Sequence, residues 1–105
     1  MDEFQLIRHY FAGLTAEQSG VLLGIGDDAA LLQLPPGEAL VVTTDTLVAG
    51  RHFPEQTAAF NVGWKALAVN LSDLAAMGAR PRWFTLALTL PESNADWLAG
   101  FSEGL

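Results

Sequence analysis

The chain is 105 residues long and half apolar, with a formal net charge of −7, a length that fits one small domain with a modest core. The acidic balance argues against nucleic acid or anionic membrane as a partner, since both want a basic face. With no cysteine in the chain, disulfides, thiolate metal sites and a Cys nucleophile are excluded.

The opening Met1-Asp2-Glu3-Phe4-Gln5 lacks the basic stretch and apolar run of a signal peptide, and no apolar run is long enough to span a bilayer. A soluble, cytoplasmic protein is expected. Phe4, Ile7, Tyr10, Phe11 and Leu14 recur at helical spacing behind Asp2 as a cap, which predicts a short amphipathic helix that Gly13 interrupts. From Val21 to Leu34 a glycine turn feeds a short apolar run, and Pro35-Pro36-Gly37 ends it. Ala39 to Leu47, rich in β-branched residues, predicts the chain's best strand, with Asp45 at its end.

Asn61 to Met77 reads as a helix stopped by Gly78 with Pro81 beyond. Leu67, Leu71 and Leu74 are expected to face the core, leaving Asn70 and Asp73 at its border with solvent. Trp83 to Leu90 alternates as a second strand. Ser93 with Asp96 forms a capping box for a last helix carrying Trp97, Leu98, Phe101 and Leu105. That helix has no C-cap of its own, which suggests a truncated chain. The order predicts an α/β (α+β) fold, a small mixed sheet with helices packed on one face, the other face needing a partner subunit.

Four of the six aspartates, Asp27, Asp28, Asp45 and Asp73, fall in three segments rich in apolar residues, where burial is expected. A buried carboxylate needs compensation, and no Lys or Arg lies inside these segments. Neighbouring Thr, Ser and Asn oxygens complete an oxygen-only donor set, which points to magnesium. Each segment also has a plainer explanation: an acidic Gly/Asp turn at 24–30, the polar end of an edge strand at 43–46, and a solvated helix border at Asp73. Gly24-x-Gly26 is not a dinucleotide fingerprint, because the third glycine is missing and two aspartates follow. Arg51 and His52 could meet a substrate phosphate, although a loop histidine is more often simply a surface residue. Lys65 is expected to solvate the back of its helix.

Taken together, Gly24–Ala30, the stretch Thr44-Asp45-Thr46-Leu47-Val48-Ala49-Gly50-Arg51-His52-Phe53 and the stretch from Trp64 to Ala79 resemble the N-terminal domain of the thiamine-monophosphate kinase family. That family sits within the aminoimidazole-ribonucleotide-synthetase-like ATP-binding superfamily. The resemblance implies ATP-dependent phosphorylation of thiamine monophosphate to thiamine diphosphate, assisted by Mg2+. It implies Asp28, Thr43, Thr44, Asp45 and Asp73 as metal ligands, His52 as a substrate contact and Asp27 as a further cofactor-binding residue. No catalytic side chain is required. A homodimer through the N-domain sheet is implied as well. On this resemblance residues 1–105 form an incomplete N-terminal ATP/magnesium-binding domain without the C-terminal domain, inactive or nearly so alone. Two alternatives stay open: a sibling ATP-dependent synthetase of the same superfamily, and a non-catalytic acidic dimerisation module.

Overall fold

The computed structural model describes residues 2–14, 20–92 and 94–105. They form two compact units, Met1–Leu40 and Val41–Leu105. The class is α+β, as expected from the pattern of elements.

In the first unit, helix α1 spans Glu3–Leu6. Its start is fixed reciprocally: the Asp2 carboxylate accepts from the Gln5 backbone N–H at 2.8 Å, and Gln5 Oε1 accepts from the Asp2 N–H at 3.0 Å, so orphan donors of the first turn are satisfied. The chain continues through a π-helical turn, Ile7–Phe11, into a 3-10 turn, Ala12–Leu14, and buries Phe11. Strands β1 (Val21–Leu23) and β2 (Leu31–Leu32) pair antiparallel, with a register irregularity between Val21 and Leu23. The glycine segment is therefore the tip of a hairpin. After β2, Glu38 N–H donates to the Pro35 carbonyl across Pro36 and Gly37, and Gly37 has φ +81°. Pro at the second position and a positive-φ Gly at the third are what a type II turn requires.

The second unit is built on two helices, α2 (Ala59–Ala76) and α3 (Ala95–Gly104). A Schellman motif ends α2: Gly78 N–H donates to the Ala75 carbonyl and Ala79 N–H to that of Leu74, with Gly78 at φ +66°. The expected stop at Gly78 is thus realised, and the helix begins at Ala59, two residues before the expected Asn61. Asn94 caps α3, its side chain accepting from the Trp97 N–H at 3.0 Å; Ser93, the expected cap, lies outside the described residues.

The two helices meet along a seam of glycines. A methyl group at Gly63 would fall on the Phe101 carbonyl oxygen, and one at Gly104 on the Phe60 carbonyl oxygen. Backbones can approach that closely only where no Cβ stands between them. Around the seam Val62, Leu98 and Phe101 are buried, with Leu98 only 1% exposed, and the Trp97 and Phe101 rings stack at 4.9 Å. This is the core of the unit. It is reached by Val62 and Gly63 on α2, whereas Leu71, expected to face inward, is exposed and Leu67 and Leu74 are half-buried.

Two expected strands, 39–47 and 83–90, carry no ladder, and β1–β2 is the only sheet among the described residues. Alternation marks a segment suited to a half-buried sheet, but the hydrogen bonds that make it a strand belong to a neighbour. Neither segment finds one among the described residues. Val41, Val42, Phe84 and Leu86 are left exposed in consequence.

Candidate functional site

Arg51 and His52 sit on a tightly closed loop between segment 39–47 and α2. The Val48 carbonyl accepts from the backbone N–H groups of Arg51 at 3.1 Å and His52 at 2.9 Å, and Gly50 N–H donates to the Phe53 carbonyl at 2.7 Å. Gly50 supplies the left-handed backbone, φ +81°, that the turn requires. The His52 ring then closes back on the same residue, its Nδ1 accepting from the Val48 N–H at 2.8 Å. A ring nitrogen that accepts carries no proton, so the neutral imidazole holds its proton on Nε2. His52 is exposed, and its Nε2–H is a donor suited to an oxygen arriving from solvent.

Lys65, on the second turn of α2, reaches across to this loop and donates from Nζ to the His52 carbonyl at 2.6 Å. It is half-buried and does not merely solvate its helix. The bond is charge-assisted, the stronger kind. Sequence reasoning missed it because the partners are separated along the chain and the acceptor is a backbone atom.

The aspartates are placed differently from expectation. Asp27, Asp28, Asp45 and Asp73 are all exposed. Apolar neighbours in sequence do not bury them, because the Gly24–Ala30 segment is a hairpin tip, Asp45 lies in segment 39–47 that pairs with no strand among the described residues, and Asp73 falls in the exposed run 71–73 of α2. Contrary to expectation, none of these four carboxylates is buried, so burial does not call for a compensating cation. Asp27 uses its carboxylate locally, accepting from the Asp28 N–H at 2.8 Å. Thr43 is half-buried and Thr44 exposed. Among the described residues no group of three or more His, Asp or Glu side chains is gathered as a metal centre would gather them. What remains in favour of a hard cation is the donor chemistry itself, carboxylate and hydroxyl oxygens.

Asn70 and Asp73 share α2. Asn70 Nδ2 donates to the Ala66 carbonyl one turn back at 3.0 Å, while its Oδ1 is buried without a hydrogen-bond partner.

Residues 26–105 match the family model described as AIR synthase related protein, N-terminal domain. The chain belongs to this family. Every candidate residue named above, from Asp27 to Asp73, lies inside the matched range. Among curated proteins, this AIR synthase related domain is 54% identical over 103 residues to the thiamine-monophosphate kinase of Escherichia coli (strain K12), covering 98% of this chain and 32% of the relative. It is 47% identical over 105 residues to the thiamine-monophosphate kinase of Haemophilus influenzae, all of this chain and 32% of the relative. The thiamine-monophosphate kinase of Bacillus subtilis is 45% identical over 92 residues, 87% of this chain and 28% of the relative. The domain thus spans about a third or less of the length of these curated relatives. No helix among its described residues is long and apolar enough to cross a membrane.

Proposed function

We propose that this domain belongs to a kinase that transfers the γ-phosphoryl group of ATP to the phosphate of thiamine monophosphate, giving thiamine diphosphate and ADP. One observation carries this reading: 98% of the chain aligns at 54% identity with a relative named for that activity. The chemistry of the residues agrees with it. An acceptor phosphate oxygen is already ionised at neutral pH, so no strong general base is needed, and direct transfer to it requires no side-chain nucleophile.

What such a transfer needs is relief of repulsion between two anionic reactants. In an acidic protein that relief comes from bound cations and from a few placed donors. Asp28, Asp45 and Asp73, with the Thr43 and Thr44 hydroxyls, are the residues that would hold Mg2+, and Asp27 would shape the hairpin tip that presents Asp28. Bound magnesium supplies neutralising charge to the phosphate oxygens. Arg51 and the Nε2–H of His52 would orient the phosphate of thiamine monophosphate. The same reading has the kinase act in the cytoplasm, as a homodimer joined through segments 39–47 and 83–90.

The test is to offer the full-length protein ATP and Mg2+ with thiamine monophosphate or, in parallel, with selenide. ADP release and thiamine diphosphate are expected with thiamine monophosphate only. ADP release with selenide, or with neither acceptor, overturns the reading.

A further inference from the structure

The His52 loop is held from two sides by groups that do not belong to any aspartate segment. Val48 N–H fixes the ring at Nδ1, 2.8 Å away, and Lys65 Nζ fixes the backbone carbonyl of the same residue at 2.6 Å. The Val48 carbonyl, accepting from both Arg51 and His52, closes the loop between them. One histidine is therefore constrained at its ring, its amide and its carbonyl, while its remaining nitrogen is left to bind. The arrangement also concentrates charge. Of the chain's five Lys and Arg residues, Arg51 lies on this loop and Lys65 is bonded to it, in a domain that otherwise repels anions.

We propose that Lys65 is a positioning residue for His52: by holding the His52 carbonyl it keeps the loop closed, so that Val48 fixes the ring with Nε2–H outward as a ready-made donor to the phosphate of the acceptor substrate. This rests on the proposed role of His52 as a substrate contact. The physical advantage is preorganisation. A donor already oriented and in the right tautomer loses little freedom when the phosphate arrives. A lysine suits the task because its ammonium strengthens the bond to the carbonyl and adds a positive charge beside Arg51 without itself occupying the substrate position.

The test combines a ring-nitrogen spectrum with a double-mutant cycle, both in the full-length protein. In the 15N spectrum His52 is expected as the Nε2-protonated tautomer, and Lys65→Met is expected to mix the two tautomers. In steady-state kinetics, His52→Ala and Lys65→Met are each expected to raise KM for thiamine monophosphate about tenfold with little change in kcat, the pattern of lost substrate binding. Lys65→Arg, which keeps a charged donor, is expected to restore most of the loss. In the His52→Ala background, Lys65→Met is expected to add nothing, since its effect passes through His52.

If His52→Ala leaves KM unchanged, the substrate-contact reading fails and the positioning role falls with it. If His52→Ala raises KM but Lys65→Met leaves both KM and the tautomer alone, or adds its own penalty on top of His52→Ala, only the positioning role is overturned. Should Lys65→Met not fold, Lys65→Gln, which retains an uncharged donor, takes its place with the same expectations at smaller size.

Discussion

Asp27 and Asp28 are neighbours with different work. The Asp27 carboxylate is occupied in the hairpin tip, accepting from the Asp28 N–H, a role that an asparagine oxygen can fill as well. Asp28 itself is exposed and available to a ligand. Asp27→Asn is therefore expected to leave Mg2+-dependent nucleotide binding by the full-length protein within about twofold, because the asparagine amide oxygen can accept the same bond from the Asp28 N–H. Asp28→Asn, Asp45→Asn and Asp73→Asn are each expected to weaken that binding at least about tenfold, since each would remove a charged ligand from a hard cation. Calorimetric titration of nucleotide with and without Mg2+ checks both expectations. Unchanged binding in Asp45→Asn or Asp73→Asn would remove the metal from the account. At this scale the sequence was informative about which residues to examine and misleading about their surroundings. The short acids stand out as a pattern, but their burial was inferred from neighbours along the chain, and a glycine-rich hairpin tip carries its apolar neighbours outward with it.

Among the elements, the helices are specified by signals that lie within a few residues of one another. Asp2 with Gln5 and Gly78 at the end of α2 each act on the backbone of their own turn, which is why those boundaries were readable. The start of α2 follows Ala58, which gives no side-chain cap, and was expected two residues later, and the cap of α3 is Asn94 where Ser93 was expected. Asn94→Ala is expected to cost about 1 kcal/mol by loss of the N-cap, measured by chemical denaturation. The glycine seam was also present in the sequence, since Gly100 and Gly104 fall one helical turn apart with Gly63 on the facing helix, but in-helix glycines read first as weaknesses. Gly63→Ala or Gly104→Ala is expected to destabilise the second unit by about 1–3 kcal/mol, because the added methyl must displace backbone atoms. Leu98→Ala, at the most buried position, is expected to cost about 2–5 kcal/mol. The segments 39–47 and 83–90 fared differently. Their alternation is genuine, but a ladder is a relation between two segments and cannot be read from either alone.

For the whole molecule, those two segments and the dispersed aspartates bear on the same question of assembly. Val42 is 74% exposed and Phe84 53%, a poor arrangement for water and a suitable one for a sheet completed by a second copy. If the full-length protein dimerises through these segments, Val42→Lys is expected to shift it toward monomer, read by light scattering, because a charge placed on the interior of a sheet must be buried. Residues 1–105 correspond to about a third of the kinase relatives, and they are expected to turn over little or no substrate when assayed alone. Purified 105-residue material with robust turnover would contradict this. The family was legible from the start because it is written in local strings of residues, from the Gly-Asp-Asp turn to the Asn70–Asp73 helix. The link between Lys65 and His52 was not, since it joins a side chain to a main-chain atom across a turn and half a helix.

The contact between α2 and α3 has a bearing on how this domain tolerates variation. In a saturation library selected for folded protein, positions 63 and 104 should emerge as nearly invariant columns, because the carbonyls of Phe101 and Phe60 leave no volume for any other side chain. Trp64, next along the chain but 62% exposed, should accept broad replacement in the same experiment. Two adjacent codons would then show opposite permissiveness, the smaller residue being the irreplaceable one.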